Sequence, residues 1–140
     1  MAVAAAASLV AGRPSEAPEL FGAVLDVVPA GATRAAIEKA SWLGPDVDVG
    51  EVVYLVGNGL RVLSKDTVPF ALWCARHHMN DYATALWTAV SRFGDCDTLC
   101  AIVGSIVALH PGERGIPPEW RQRREPLSPF LKLPTVQPSQ

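Results

Sequence analysis

Two carboxylates and a hydroxyl stand close together at Asp95, Asp97 and Thr98, within the run Phe93-Gly94-Asp95-Cys96-Asp97-Thr98. These are hard oxygen donors, and an Asp-x-Asp alternation in a turn can send both carboxylates to one side with the threonine oxygen beside them. Divalent cations such as magnesium take that kind of all-oxygen surround. The same residue types are the commonest caps of a helix N-terminus, whose first N–H groups lack partners. The segment that follows, Leu99 to His110, is apolar and too long for an ordinary strand, so on either reading the acidic turn opens a helix.

Other constellations carry less. Asp46-Val47-Asp48 repeats the alternation without the glycine, and Asp48 reads as the cap of a helix from Val49 to Val56. Gly57-Asn58-Gly59 frees the backbone for positive φ and a close approach, and it equally suits a plain helix C-cap. Cys96 and Cys100 with His77, His78 and His110 invite zinc, but Cys-x3-Cys with one flank inside a helix matches the common spacings poorly. A free cysteine more often serves as a small buried hydrophobe. The flanking carboxylates also disfavour a thiolate nucleophile at Cys96, which reads as a spacer between two ligands.

Three blocks taken together resemble the carboxyl-terminal part of the ADP-ribosylglycohydrolase family. Gly57-Asn58-Gly59 with the later Asp66-Thr67-Val68-Pro69 is similar to the family's glycine loop and Val-Pro helix start. Gly94 to Gly104 resembles its Gly-Asp-x-Asp-Thr metal motif and small-residue helix, and Ile116-Pro117-Pro118-Glu119-Trp120 its Ile-Pro-x-x-Trp ending. The likeness extends more weakly through the first half of the chain. Many members carry a second glycine where Phe93 stands, which implies a tighter approach to the site here.

The resemblance implies a two-magnesium centre whose carboxyl-terminal ligands are Asp95, Asp97 and Thr98, and an ADP-ribose cleft lined by Gly57, Asn58, Gly59 and Leu60. The implied reaction is hydrolysis of the glycosidic bond joining ADP-ribose to a protein side chain or small molecule. The family's second acidic cluster, Ser/Thr-Asp-Asp, has no counterpart, because the chain contains no Asp-Asp dipeptide. The expectation is therefore a carboxyl-terminal part, inactive alone, with catalytic residues unassigned and an apolar face left for a missing amino-terminal half or for self-association. A magnesium ion takes about six oxygens, so three side chains would hold it weakly. The alternative is a non-catalytic helical module.

The elements that must position these residues follow from composition and punctuation. At 140 residues, 49% hydrophobic and 19% charged, the chain is one globular domain able to bury a core. A formal charge of -2 argues against nucleic acid as the partner, and Arg121, Arg123 and Arg124 read as a solvated helix face. Met1 to Gly12 is apolar but has no basic leader and falls short of the ~20 residues of a membrane span, so it reads as a packed helix. Three cysteines without paired spacing suit a reducing cytoplasm.

Helices are expected over Ala2–Ala11, Glu16–Val28 capped by Ser15, Thr33 to Leu43, and Val49–Val56. The next starts at Asp66 or Thr67 with Pro69 in its first turn. Another, capped by Asn80, runs from Asp81 to Arg92 with Tyr82, Leu86, Trp87 and Val90 inward. Thr98 to Leu109 should be the central and most buried helix, because its small residues allow close contact. A short helix from Pro117 or Pro118 should be anchored by Trp120. The expected fold is all-α, an orthogonal multi-helix bundle over residues 1–125, with residues 126–140 a loose tail.

Overall fold

The computed structural model describes residues 1–12 and 19–126. The expected tail beyond residue 126, the Ser15 cap and the start of the second helix at Glu16 lie outside the described residues. Within them the chain forms eight α-helices and no strand: α1 Ala2–Gly12, α2 Leu20–Val27, α3 Ala32–Ser41, α4 Val49–Val56, α5 Ser64–His77, α6 Tyr82–Val90, α7 Cys96–Val107 and α8 Pro118–Arg123. A 3-10 turn at Gly112–Gly115 joins α7 to α8. No described helix is long and apolar enough to cross a membrane.

The punctuation works locally as the residue types dictate. In α1, Ala2, Ala6 and Val10 recur every fourth residue and form a buried stripe. Asp48 caps α4 by accepting the Gly50 N–H at 2.7 Å, and Asp81 caps α6 by accepting that of Thr84 at 2.9 Å. The cap of α6 is thus Asp81 rather than Asn80. Arg34 reaches back to the carbonyls of Leu25 and Val28, placing a cation on the carboxyl end of α2, where the exposed carbonyls carry partial negative charge.

The centre of the molecule is α5, not α7. Asp66, Thr67 and Pro69 through Ala75 are all buried in α5, which packs on α3, α4, α6, α7 and α1. In α7 the buried residues are Leu99, Val103, Gly104, Ile106 and Val107, while Ala101 and Ser105 face solvent. In α6, Ala85 and Ala89 are fully buried and Tyr82 and Leu86 pack against the core as expected, but Trp87 faces outward, 66% exposed. Small residues do let α6 and α7 close on each other, because a Cβ on Gly104 would sit 2.9 Å from the Tyr82 hydroxyl. They do not decide which helix the others surround.

Trp73 is the largest fully buried side chain. Its indole N–H donates to the Leu43 carbonyl at 2.9 Å, and His77 Nε2–H donates to the same oxygen at 3.0 Å. Burial against this wall lowers the pKa of His77, and burial likewise lowers that of His78 beside Thr88. An unfolded chain therefore binds protons at these two sites at higher pH than the folded one. The sign follows: stability from the neutral imidazoles is present above the ordinary value of 6.5 and declines as pH falls below it. Melting temperature should drop between pH 7 and pH 5, and replacing both histidines by glutamine should flatten that part of the profile. An unchanged slope in the double variant would assign the acid sensitivity elsewhere.

Candidate metal centre and ligand groove

The acidic turn and the glycine loop, distant in sequence, are locked together in space. Asn58 is buried, and its carbonyl accepts the Asp95 N–H at 3.0 Å. Its side-chain Nδ2 donates to the Arg92 carbonyl at 3.1 Å, across 34 residues of chain. Gly94 has no room for a side chain, since a Cβ there would overlap the Asn58 carbonyl. Gly59, at φ +88°, presents its bare Cα to Asp95, whose Cβ would lie 2.7 Å from a Cβ on Gly59. Glycine is required at both faces of this contact, because only a bare Cα lets the two backbones approach so closely.

Asp95 is the N-cap of α7, its Oδ1 accepting the Thr98 N–H at 3.3 Å. Asp97 and Thr98 lie exposed on the first turn of the same helix. The donor set is all oxygen and suits a hard cation, with one Asp95 oxygen engaged in capping and the Asp97 carboxylate making no hydrogen bond among the described residues. Among the described residues, no three His, Cys, Asp or Glu side chains gather anywhere. His77 and His78 turn instead to the Leu43 carbonyl and the Thr88 hydroxyl. The Cys100 thiol is pushed up in pKa by burial, with Cys96 and Asp97 adding to the effect.

On the approach to this turn, Phe93 sits at φ +51° with 85% of its surface exposed. A side chain in the left-handed region costs about 1–2 kcal/mol, and this ring gains little burial to offset it. Phe93→Gly should therefore raise stability by about 1 kcal/mol in thermal melts, whereas Phe93→Ala, which keeps a Cβ, should leave it nearly unchanged. Equal gains from both variants would trace the effect to the exposed ring and not to the backbone.

Two residues that matter here escaped the sequence reading. Asp66, read as a helix start, lies inside α5 and is only 8% exposed. Its Oδ2 accepts the Arg61 N–H at 2.8 Å and its carbonyl accepts the Gly59 N–H at 3.2 Å, so it shapes the loop from beneath. The signal was present: Asp66 is three residues past the N-cap Leu63, where an acid commonly reaches back to free N–H groups. Arg92 is the other. Its carbonyl holds Asn58 at the end of α4, and its guanidinium reaches Asp48 at the start of that helix, at 3.2 and 3.3 Å.

Gly57, Asn58 and Leu60 also line a groove of about 630 Å³ bounded by α3, α4 and the start of α5. Leu60 is 70% exposed at its rim. Thus all four loop residues meet either the acidic turn or this groove: Gly59 faces the turn, and the other three face the groove.

No curated protein and no solved structure gives a significant match to this chain. The family model described as ADP-ribosylglycohydrolase matches residues 1–134, which includes the first half, where the motifs are weakest. With that match spanning nearly the whole sequence, and with an all-helical fold that brings the glycine loop onto the Gly-Asp-x-Asp-Thr turn, the chain belongs to the ADP-ribosylglycohydrolase family.

Proposed function

We propose that this chain carries part of a magnesium-dependent site that hydrolyses the glycosidic bond between ADP-ribose and a protein side chain or small molecule. The observation that supports it is the clamp between Asn58 and Gly94-Asp95, which holds the loop beside the three oxygen donors. Asp95, Asp97 and Thr98 are the side chains that would hold the metal, and Gly57, Asn58, Gly59 and Leu60 would border the ADP-ribosyl group. When bound, magnesium supplies positive charge to ribose hydroxyls and to a water attacking the anomeric carbon. The chain's own part is to fix the donors by the α7 cap and to bring backbone N–H and carbonyl groups close to the ligand. Three donors leave most of about six positions per ion open, so the remaining oxygens are assigned to another polypeptide segment, an amino-terminal half or a second copy. Residence in a reducing cytoplasm belongs to the same proposal, supported by the free thiols of Cys74, Cys96 and Cys100.

Calorimetry with magnesium should show little heat for the chain alone, and ADP-ribosyl hydrolysis should require the added segment. In the completed assembly Asp97→Ala should abolish hydrolysis while leaving the fold within about 0.5 kcal/mol. Asp95→Ala should lose activity and about 1 kcal/mol of stability as well, because it removes a cap. Robust hydrolysis by the 140-residue chain alone, lost in Asp97→Ala, would overturn the incomplete-site reading. A non-catalytic helical module is the second reading, favoured by the fact that capping alone accounts for Asp95. It wins if Asp97→Ala leaves the assembled activity intact.

A further inference from the structure

Val62 and Phe93 are the two described non-glycine residues at positive φ, +53° and +51°. That conformation crowds any Cβ, a β-branched or bulky one most of all. Neither side chain gains packing in return, since Val62 is 80% exposed and Phe93 almost wholly so. Both flank one contact. The Val62 N–H closes a turn onto the Gly59 carbonyl at 2.8 Å, and Phe93 immediately precedes Gly94, which lies against Asn58. Leu60, inside that turn, is exposed as well. Single exposed apolar residues are ordinary, but three around one contact, two of them on unfavourable backbone, mark an interaction surface.

Charge indicates what covers it. Asp97 lies exposed on the Phe93 side, while Arg61 lies exposed between Leu60 and Val62, with Lys65 beyond it at the start of α5. Among the described residues none of these three is in an ion pair. A partner of one charge sign would be repelled at one edge of such a surface. The surface matches itself after a half-turn, because the acidic edge of each copy then meets the basic edge of the other.

We propose that the occupant is a second copy of this chain, in a two-fold pair that buries Leu60, Val62 and Phe93 and sets Asp97 of each copy against Arg61 of the other. A copy docked in this way brings cations, not oxygens, to the acidic turn. It therefore covers Asp95, Asp97 and Thr98 without completing them, and the missing oxygens fall to a different segment. The pair is a resting form of the site. Pairing itself needs neither magnesium nor hydrolysis.

The test is sedimentation equilibrium of the full 140-residue chain, free of metal, from about 5 to about 500 μM. The chain should pass reversibly from monomer to dimer and go no further, because a two-fold pair closes. Leu60→Ala and Phe93→Ala, both at exposed positions, should each weaken pairing at least about fivefold with the helical spectrum unchanged. Asp97→Lys and Arg61→Glu should each weaken it by about tenfold or more, since either one sets like charges face to face at both edges. Mixed in equal amounts, those two variants should pair with each other, because every edge then joins opposite charges. A folding defect cannot produce that recovery. A chain that stays monomeric up to about 500 μM overturns the proposal, as does growth beyond the dimer, pairing indifferent to Leu60→Ala and Phe93→Ala, or charge variants that fail to pair in the mixture. A monomer that hydrolyses in the completed assembly would remove the pairing and leave the hydrolytic reading, whereas a dimer with no hydrolysis in any assembly would do the reverse.

Discussion

Gly94→Ala is expected to destabilise the chain by about 3 kcal/mol and to lower its melting temperature by about 10 °C. The new methyl would overlap the Asn58 carbonyl and lie 2.7 Å from Asn58 Cγ. Neither group can step aside cheaply. The carbonyl is held by the Asp95 N–H and the side chain by the Arg92 carbonyl, so relief means giving up buried hydrogen bonds on both sides of the contact. Gly22→Ala is the matched control, because a Cβ there meets nothing within 4 Å inside α2. It should raise stability by about 0.5–1 kcal/mol through helix propensity. If Gly94→Ala melts within a degree or two of the parent, the turn and the loop are not in direct contact and the candidate centre dissolves with them.

Trp73→Ala should cost more, about 3–5 kcal/mol, and leave the chain marginal or unfolded at physiological temperature. The indole is 1% exposed, stacks on Phe70 with ring centres 6.3 Å apart, and tilts against His77 at 4.9 Å. Its removal opens a cavity in the helix on which α1, α3, α4, α6 and α7 pack and takes one of two described donors from the Leu43 carbonyl. Trp73→Phe separates these effects, since it keeps most of the volume and loses the N–H. Water admitted to the cavity would also rehydrate His77 and His78, so the acid sensitivity of whichever variant stays folded should shrink. A Trp73→Ala protein that melts normally with an unaltered pH profile would contradict the placement of the core.

What could be read in advance was the part written in local chemistry. Asp48 and Asp95 announced α4 and α7, Pro118 opened α8, and the Gly-Asp-x-Asp-Thr pattern marked the turn proposed as the metal site, because caps and proline positions depend on neighbours a few residues away. Relative burial was not local. The small residues of α7 suggested a central helix, yet Ala101 and Ser105 turn to solvent, and a small side chain permits close packing without saying where packing occurs. In α6, Tyr82 and Leu86 do pack inward, but the most deeply buried positions are the small Ala85 and Ala89, and Trp87 is displaced to the outside. The start of α5 lies earlier than its residue types suggest, for a different reason. Asp66 resembles a cap, but its carboxylate turns back to Arg61, and the helix begins earlier at Ser64, which puts Pro69 in the second turn and removes the hydrogen bond its N–H would have made to Lys65. The Asn58–Gly94 contact could not be read from spacing at all, since it exists only once α4 and α7 are docked.

The outward placement of Trp87 has an optical consequence. Its ring meets that of Trp120 edge-on at 6.3 Å, and Trp120 meets Tyr82 at 6.1 Å. Two indoles so close and so steeply inclined couple their electronic transitions, and the coupling vanishes when either ring moves away. Since α8 buries no residue fully and approaches α6 through Trp120, the coupled contribution of this pair to circular dichroism would follow the docking of that short helix. The chain thus carries a built-in chromophore pair between α6 and α8, able to register detachment of α8 while the helical core remains intact.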